Sequence, residues 1–178
     1  MPHSFPNWIE AAAYKILAEQ PQSVLDVGLG FGMGGMIARQ YADIWHLRIQ
    51  PGDWAVVIDG IEIHAPNVMP HQTALYNTIH IGDAVAILPT LGHYDLILCI
   101  DMLEHLHKVD GTWLLDLIAE HGTHFLVSTP ADFFEQDALQ GNAAERHLAC
   151  WTASELERWG TVSKHDSPLH ESLLLLER

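Results

Sequence analysis

The sequence predicts an α/β domain with a mostly parallel, doubly wound sheet. Short apolar runs typical of buried strands alternate with stretches in which apolar residues recur at helical spacing. The clearest strand is YDLILCID, Tyr94–Asp101, an apolar run between two acids, as expected for a strand buried on both faces. No internal repeat, low-complexity tract or linker interrupts this alternation, so we expect residues 1–178 to form a single domain.

The N-terminal half contributes two helices and three strands to this prediction. An N-terminal helix within residues 1–20 should run from Asn7 to Glu19, because its apolar residues lie on one face. The first strand is SVLDVG, which begins at Ser23, and MGGMIARQYA forms the helix after a glycine-rich loop. The second strand is AVVIDGIEI, Ala55–Ile63, and a short third strand covers Thr78–Asp83.

The C-terminal half is expected to complete the sheet. GTWLLDLIAEHG supplies the helix after the fourth strand, and the fifth strand is HFLVSTP, His124–Pro130. A short helix in TASELERWG has Thr152 as its N-cap and Glu155 at the capping-box position. The segments TVSKHDS and ESLLLLER then form two strands that are close enough in sequence to pair antiparallel.

Charge argues against several classes of partner. Eight Lys and Arg residues are outnumbered by 23 Asp and Glu, which gives a net charge of −15 with neutral histidines, and no basic cluster occurs. Nucleic acids and anionic membrane surfaces should therefore be repelled. The 13 histidines are scattered, and His105 and His107 at i, i+2 do not share a helix face, so no metal site is predicted. Cys99 and Cys150 form no metal or disulfide pattern and are expected to be reduced, structural thiols.

Nothing in the sequence predicts a membrane segment or a secretion signal. No run of about 18 apolar residues occurs, and the N-terminal residues MPHSFPNWIE lack the basic start and apolar stretch of a signal peptide. A cytoplasmic location is therefore expected.

The stretch SVLDVGLGFGMGG, Ser23–Gly35, places five glycines in eight positions directly after the first strand. Such density marks a turn in which the backbone comes close to a ligand. The dinucleotide fingerprint GxGxxG would need a glycine where Met33 stands, and only a frame displaced away from the strand satisfies it. An acid-x-GxGxG pattern fits without adjustment and favours a nucleoside that carries an amino-acid tail. Its residues are Asp26, Gly28, Gly30 and Gly32.

Acidic residues recur where the other predicted strands end. Glu62 lies at the end of the second strand, Asp83 follows the third, and Asp101 ends the fourth. The segment after Pro130 follows the fifth strand. Ligands of doubly wound sheets bind at the carboxyl ends of the strands, near the point where the strand order reverses. These residues are therefore expected around one ligand site.

The motifs resemble those of the class I S-adenosylmethionine-dependent methyltransferases. The resemblance begins near Val24 and runs to the C-terminus: LDVGLGFG is similar to the first motif of the family, DGIEI to the second, and YDLILCIDMLEHL to the fourth-strand motif. Together with STP and ERHLACW, these motifs look like a compact bacterial subgroup. The resemblance implies a Rossmann-like sheet of seven strands, mostly parallel, with an antiparallel C-terminal strand.

The resemblance also implies S-adenosylmethionine as the cofactor. Glu62 would accept from both ribose hydroxyls, and Asp83 would accept from the adenine amine. Acidic residues near the fourth strand, among them Glu104, would attract the positive sulfonium centre. The implied cofactor residues are Asp26, Gly28, Gly30, Gly32, Glu62, Asp83, Ala84 and Asp101.

Several of these residues have a structural alternative. Asp26 could serve only to hold loop amides, and Glu62 could be a solvated strand end, with Asp59 as the competing acid. Asp83 could be a turn residue after Gly82, and Asp101 could be a helix cap.

Methyl transfer is an in-line displacement, so its main requirements are the exclusion of water and the alignment of the acceptor. A hydroxyl acceptor would also benefit from a base, and the candidates are His105, His147 and Asp132, although His105 could be a structural hydrogen-bond partner. His147 lies within residues 130–153, which we expect to form a lid on the acceptor side of the site. The alternative is a surface segment that only closes the fold.

We therefore expect S-adenosylmethionine-dependent methylation of a small molecule, with a hydroxyl as the favoured acceptor. Asp101-Met-Leu-Glu stands where many amine methylases carry Asn or Asp before Pro-Pro-aromatic, and no Asp-Asn magnesium pair is evident. Acceptor recognition would fall to the N-terminal helix, the lid or a second subunit in a homodimer. The alternative functions are a nicotinamide-dependent oxidoreductase and a non-catalytic S-adenosylmethionine-binding module.

Overall fold

The computed structural model describes residues 6–139, 141–166 and 172–178 and contains a seven-stranded sheet. The strands are β1 (Ser23–Val27), β2 (Val57–Glu62), β3 (Thr78–Ile81), β4 (Tyr94–Cys99), β5 (Gly122–Pro130), β6 (Thr161–His165) and β7 (Leu173–Glu177). Their order is β3-β2-β1-β4-β5-β7-β6; β1 to β5 are parallel, and β7 is antiparallel to both of its neighbours. The predicted doubly wound, mostly parallel sheet with an antiparallel C-terminal strand is confirmed.

Helices connect the parallel strands, as predicted. In the described part of the chain they are α1 (Ile9–Glu19), α2 (Met33–Ala42), α3 (Pro70–Leu75), α4 (Ala84–Ile87), α5 (Lys108–His121) and α6 (Ala153–Leu156). The N-terminal helix differs from the prediction because Pro6–Trp8 form a 3₁₀ turn before α1, and residues 1–5 lie outside the described residues. The prediction did not include α3 and α4, which are too short to show helical periodicity.

Some strand boundaries also differ from the predicted ones. β2 begins at Val57 rather than Ala55, because its pairing with β1 starts opposite Ser23. β3 ends at Ile81, and β5 begins at Gly122. β4 ends at Cys99, and Asp101 beyond it has a φ of 46°, a left-handed conformation that does not continue a strand.

Apolar layers cover both faces of the sheet. Alternate residues of β1 enter different layers, with Leu25 packed in the layer of α5 and Val24 in the layer of α1 and α2. β4 is buried at every position from Leu96 to Cys99, as expected for a central strand. Cys99 and Cys150 are both free thiols.

The C-terminal strands pair as the sequence predicts. Thr161 lies opposite Glu177 and His165 opposite Leu173, so that β6 and β7 are antiparallel and β7 inserts next to β5. The predicted segments extend into residues 167–171, which lie outside the described part of the chain. Among the described residues, no helix has the length and apolar character needed to cross a bilayer.

The strand order reverses at β1. The chain continues outward from β1 to β2 and β3 on one side, and it returns to form β4 and β5 on the other. In sheets of this kind a crevice forms at the carboxyl ends of the strands on either side of the reversal. The glycine loop and the residues that follow β2 and β4 therefore meet at one place.

Candidate functional site

A cavity of about 440 Å³ lies at the carboxyl ends of β1, β2 and β4. This volume is in the range of sites for small ligands. Among the described residues that line the cavity are six carboxylates and two histidines, but no Lys or Arg: Asp26, Glu62, Asp83, Asp101, Glu104, Glu145, His105 and His147. A cationic ligand therefore suits this cavity better than a phosphate-rich one.

The glycine loop between β1 and α2 has a backbone path that its glycines permit. Gly28, Gly30 and Gly32 have φ values of 74°, 52° and 83°, in the left-handed region that disfavours other residues. A Cβ on Gly28 would lie 2.7 Å from Cγ of Met102, so the loop packs tightly against the segment after β4. Gly28 and Gly30 line the cavity, whereas Gly32 is the N-cap residue of α2.

Asp26 is only 3% exposed in β1 and holds the first turn of α2, directly after the glycine loop. Its Oδ2 accepts a hydrogen bond from the backbone amide of Gly35 at 3.0 Å and another from the Tyr76 hydroxyl at 2.5 Å. Burial raises the pKa of Asp26 to about 6, although both hydrogen bonds favour the carboxylate. These contacts support the loop-holding alternative for Asp26, which also lines the cavity.

Glu62 is buried at the end of β2 and lines the cavity. Its Oε2 accepts from the Gly30 amide at 3.0 Å, and its Oε1 accepts from the His64 amide at 2.8 Å and from Nδ2 of Asn67 at 3.2 Å. Burial raises the pKa of Glu62 above its ordinary value. A carboxylate offers about four lone-pair positions, so about one remains for a ligand hydroxyl. Acceptance from both ribose hydroxyls would require Asn67 to turn away.

Asp83 and Ala84 lie at the start of α4 and line the cavity. Asp83 is exposed, and its Oδ1 accepts from the Val85 amide at 2.9 Å, which makes it the N-cap residue of α4. A carboxylate that caps a helix with one oxygen can still accept a ligand hydrogen bond with the other. The contacts are therefore compatible with both the turn-residue alternative and a cofactor contact.

Asp101 is fixed by the neighbouring strand β5. The Ser128 hydroxyl donates to Oδ1 of Asp101 at 2.5 Å, and the Asp101 amide lies 2.9 Å from the same hydroxyl oxygen. A short 3₁₀ turn, Leu103–His105, follows, and its N-cap residue is Met102. Asp101 is thus not the helix cap that one alternative expected, and it is one of the residues that line the cavity.

His105 and His147 meet next to this turn, with ring centroids 4.9 Å apart. Nδ1 of His105 is hydrogen-bonded to the carbonyl of Arg146 at 3.1 Å, and Nδ1 of His147 to the carbonyl of Phe134 at 2.9 Å. Because a carbonyl can only accept, each Nδ1 donates, and the neutral ring carries its lone pair on Nε2. Burial lowers the pKa of both histidines.

Glu104 lies beside the two histidines and is almost fully buried. Its Oε2 accepts from the Thr129 hydroxyl at 3.1 Å. Burial, and secondly the charge of Asp101, raises the pKa of Glu104 well above its ordinary range. One carboxylate oxygen of Glu104 and one ring nitrogen each of His105 and His147 all lie within 4.8 Å of one another. The structure thus brings one carboxylate and two imidazoles together in one cluster.

The predicted lid, residues 130–153, is described except for Gln140. The segment is hydrogen-bonded to the turn after β4, because the amides of Leu148 and Ala149 donate to the Glu104 carbonyl at 2.8 and 3.1 Å. Asp132 is exposed and is not among the described residues that line the cavity. The residues of the segment that do line it are Pro130, Phe134, Gln136, Asn142, Ala144, Glu145 and His147.

Helix α3 supports the glycine loop, a role that the sequence did not predict. Gln72 is fully buried and donates from Nε2 to the Gly30 carbonyl at 2.6 Å. The Tyr76 hydroxyl is 2.9 Å from the Gly35 amide. The one local signal for this helix is Pro70 at its first position, a residue that favours helix starts.

A family model described as a methyltransferase domain matches residues 5–161. The chain belongs to this methyltransferase family. The match confirms the resemblance to class I S-adenosylmethionine-dependent methyltransferases that the motifs indicated. No curated protein matches the sequence.

Solved methyltransferase structures share the fold at low sequence identity. An O-methyltransferase family protein from Burkholderia thailandensis is 12% identical with a TM-score of 0.63, and the alignment covers 96% of this chain but 55% of that protein. The N-terminal domain of EvdMO1, solved in the presence of SAH and D-fucose, is 18% identical with a TM-score of 0.63, and the coverage is 98% and 83%. Magnesium protoporphyrin IX methyltransferase from Synechocystis PCC 6803, with bound SAM, is 13% identical with a TM-score of 0.62, and the coverage is 96% and 77%.

Most residues predicted for this methyltransferase site lie together. Every predicted cofactor residue except Gly32 lines the cavity, as do the candidate bases His105 and His147. Their individual contacts with a cofactor or acceptor stay predictions. The chain spans little more than half of the Burkholderia protein, so the activity of that whole protein does not transfer to this chain.

Proposed function

We propose that this methyltransferase transfers the methyl group of S-adenosylmethionine to a hydroxyl group of a small molecule. The observation that supports the proposal best is the composition of one cavity. The glycine loop, Glu62 and Asp83 follow strands on one side of the reversal in strand order, and the pair His105 and His147 follows strands on the other.

The first of these two groups suits the adenosine part of the cofactor. Glu62 would accept from a ribose hydroxyl through its remaining lone pair, and Asp83 would accept from the adenine amine. Asp26 would act indirectly, by holding the amide of Gly35 and so the shape of the loop. The carboxylates and the lack of Lys and Arg among the described lining residues favour a ligand with a positive sulfonium centre.

The second group suits an acceptor hydroxyl. When bound, S-adenosylmethionine supplies an electrophilic methyl group on a sulfonium sulfur. His105 and His147 are held neutral by burial, and their Nε2 lone pairs can accept the hydroxyl proton as the oxygen bonds to the methyl carbon. The carbon–sulfur electron pair returns to sulfur, which leaves a neutral thioether. Phe134, which packs on His147 with ring centroids 4.4 Å apart, would help to exclude water.

A small-molecule acceptor is favoured over nucleic acid. The net charge of −15 opposes a polyanion, and the cavity has an acidic lining. The small RNA methyltransferase HEN1 shares the fold at 16% identity, but this chain covers only 24% of that protein. EvdMO1 was solved in the presence of D-fucose, so a sugar hydroxyl is a reasonable first acceptor to test.

The two alternative functions make different predictions. A nicotinamide-dependent oxidoreductase would have to place a pyrophosphate in the acidic cavity, which costs free energy. A non-catalytic module would bind S-adenosylmethionine but would release no S-adenosylhomocysteine with any acceptor. The cytoplasmic location, the homodimer and the lid function of residues 130–153 also stay predictions.

The test is methyl transfer from radiolabelled S-adenosylmethionine to a panel of sugars, phenols, amines and carboxylates. We expect turnover with a hydroxyl compound, and His147→Ala should lower kcat by at least about 100-fold while the affinity for S-adenosylhomocysteine changes little. The matched control is His107→Ala, because His107 is an exposed histidine two residues after His105. Turnover with amines alone, or equal kcat in His147→Ala and the wild type, would contradict the proposal.

A further inference from the structure

We propose that Glu104, His105 and His147 bind a divalent transition-metal cation at the acceptor end of the cavity. The three side chains come from the turn after β4 and from the segment after β5, and they offer one oxygen and two nitrogens within 4.8 Å of one another. Ligands about 2.0–2.2 Å from a shared cation lie roughly 3–3.5 Å apart. Side-chain rotations that bring these atoms closer by up to about 1.3–1.8 Å would therefore complete the coordination.

The hydrogen bonds of the two imidazoles favour metal binding. Each Nδ1 donates to a backbone carbonyl, that of Arg146 for His105 and that of Phe134 for His147. This arrangement sets the tautomer and leaves Nε2 as the ligand atom, and histidines that bind metal usually donate their other ring N–H in the same way.

Glu104 gives a further reason for a cation at this position. Its carboxyl group is buried, and no Lys or Arg is among the described residues that line the cavity, so a bound cation would supply the positive charge that a buried carboxylate normally has beside it. The Thr129 hydroxyl holds one carboxylate oxygen at 3.1 Å and so orients the group. The Glu104 carbonyl accepts from two amides of the segment that carries His147, so the ligands are connected through the backbone.

The ligand set indicates the kind of cation. Two imidazoles and one carboxylate suit Zn²⁺, Co²⁺, Fe²⁺ or Mn²⁺ better than the all-oxygen preference of Mg²⁺ or Ca²⁺. Three protein ligands leave coordination positions open, as in catalytic sites. The sequence predicts no metal site because His105 and His107 do not share a helix face, but the folded chain brings His147 next to His105 as the second imidazole.

A role for the cation in catalysis rests on the proposed function. An acceptor hydroxyl on an open coordination position would lose its proton more readily, because the cation stabilises the alkoxide. The proton would pass to solvent water, the alkoxide oxygen would form its bond to the methyl carbon, and the carbon–sulfur electron pair would stay on sulfur. The histidines would then position the acceptor oxygen through the cation instead of accepting the proton themselves.

The test uses the full chain, freed of metal with a chelator and titrated with Co²⁺ and Zn²⁺. We expect about one Co²⁺ per chain with visible ligand-field absorption, and an affinity at least tenfold lower in His147→Ala and Glu104→Gln. His107→Ala should bind like the wild type. His147→Ala and Glu104→Gln, the two loss variants, are compared with the wild type only if cooperative thermal denaturation shows that they are folded. One folded loss variant is sufficient for the comparison.

The outcomes separate this inference from the proposed function. A wild-type protein that takes up no cation, or that binds it equally well in both loss variants, overturns the metal site. A protein that binds S-adenosylhomocysteine but no cation overturns only the metal site. A protein that binds Co²⁺ through these side chains but does not bind S-adenosylhomocysteine contradicts the methyltransferase proposal and leaves the metal site supported.

Discussion

Replacement of Tyr76 by phenylalanine should destabilise the fold in a pH-dependent manner. The Tyr76 hydroxyl donates at 2.5 Å to Oδ2 of Asp26, and both residues are buried. A hydrogen bond to an ionised group contributes about 1.5–3 kcal/mol, and no water can replace it in the core. We therefore expect Tyr76→Phe to lower the free energy of unfolding by about 2 kcal/mol at pH 7. For a chain of this length, that loss corresponds to about 4–8 °C in Tm.

The effect should become smaller in acid because Asp26 titrates. Its folded pKa, about 6, is raised from 3.8, so the native state binds a proton between these values that the unfolded state does not. Stability from this group therefore increases as the pH falls through about 6 towards 4. Loss of the hydroxyl raises the folded pKa further, so the variant gains more on acidification. At pH 5 only a neutral hydrogen bond is lost, at a cost of about 1 kcal/mol.

Urea denaturation at pH 7 and pH 5, followed by tryptophan fluorescence, measures both differences. Tyr14→Phe is the control, because Tyr14 is 65% exposed and loss of its hydroxyl should change stability by less than about 0.5 kcal/mol. An equal loss at both pH values in Tyr76→Phe, or no loss at pH 7, would refute the role assigned to the Asp26 carboxylate.

Two further predictions concern the glycine loop and the histidines. Gly35→Ala would place a Cβ 2.2 Å from Cζ of Tyr76, so thermal denaturation should show that the free energy of unfolding falls by about 3 kcal/mol or more. The control is Gly52→Ala, whose Cβ meets open space and should leave stability unchanged. Similar Tm values for the two variants would disprove this packing. For methyl transfer, kcat/KM should fall only when the pH drops below 6.5, because burial lowers the pKa of His105 and His147 and the neutral rings are the active form. An acid limb centred above 6.5 would contradict neutral imidazoles.

The sequence predicts the sheet, and it predicts that the acids after the strands lie around one cavity, for a physical reason. A central parallel strand must be apolar throughout, so Tyr94–Cys99 is recognisable in isolation. The acids that follow strands fall at one edge once the strands are parallel, which places Glu62 and Asp83 at the cavity without any knowledge of loops.

The acceptor half depends on contacts that no local pattern encodes. His147 reaches His105 only because an irregular segment returns to the turn after β4, where two of its backbone amides donate hydrogen bonds to the Glu104 carbonyl. The support of the glycine loop by Gln72 and Tyr76 was missed for the same reason: α3 has six residues, too few to show a buried face. The role of Asp26 depends on which donors surround it, which only the folded chain reveals.

Calorimetric titration with S-adenosylhomocysteine, and in parallel with NAD, tests the cofactor assignment most directly. We expect micromolar binding of S-adenosylhomocysteine alone, weakened about 10- to 100-fold in Glu62→Ala, because that variant loses a charge-assisted hydrogen bond. Asp53→Ala, which removes an exposed acid, should bind like the wild type. Binding of NAD instead, or of neither ligand by a folded wild-type protein, would contradict S-adenosylmethionine as the cofactor.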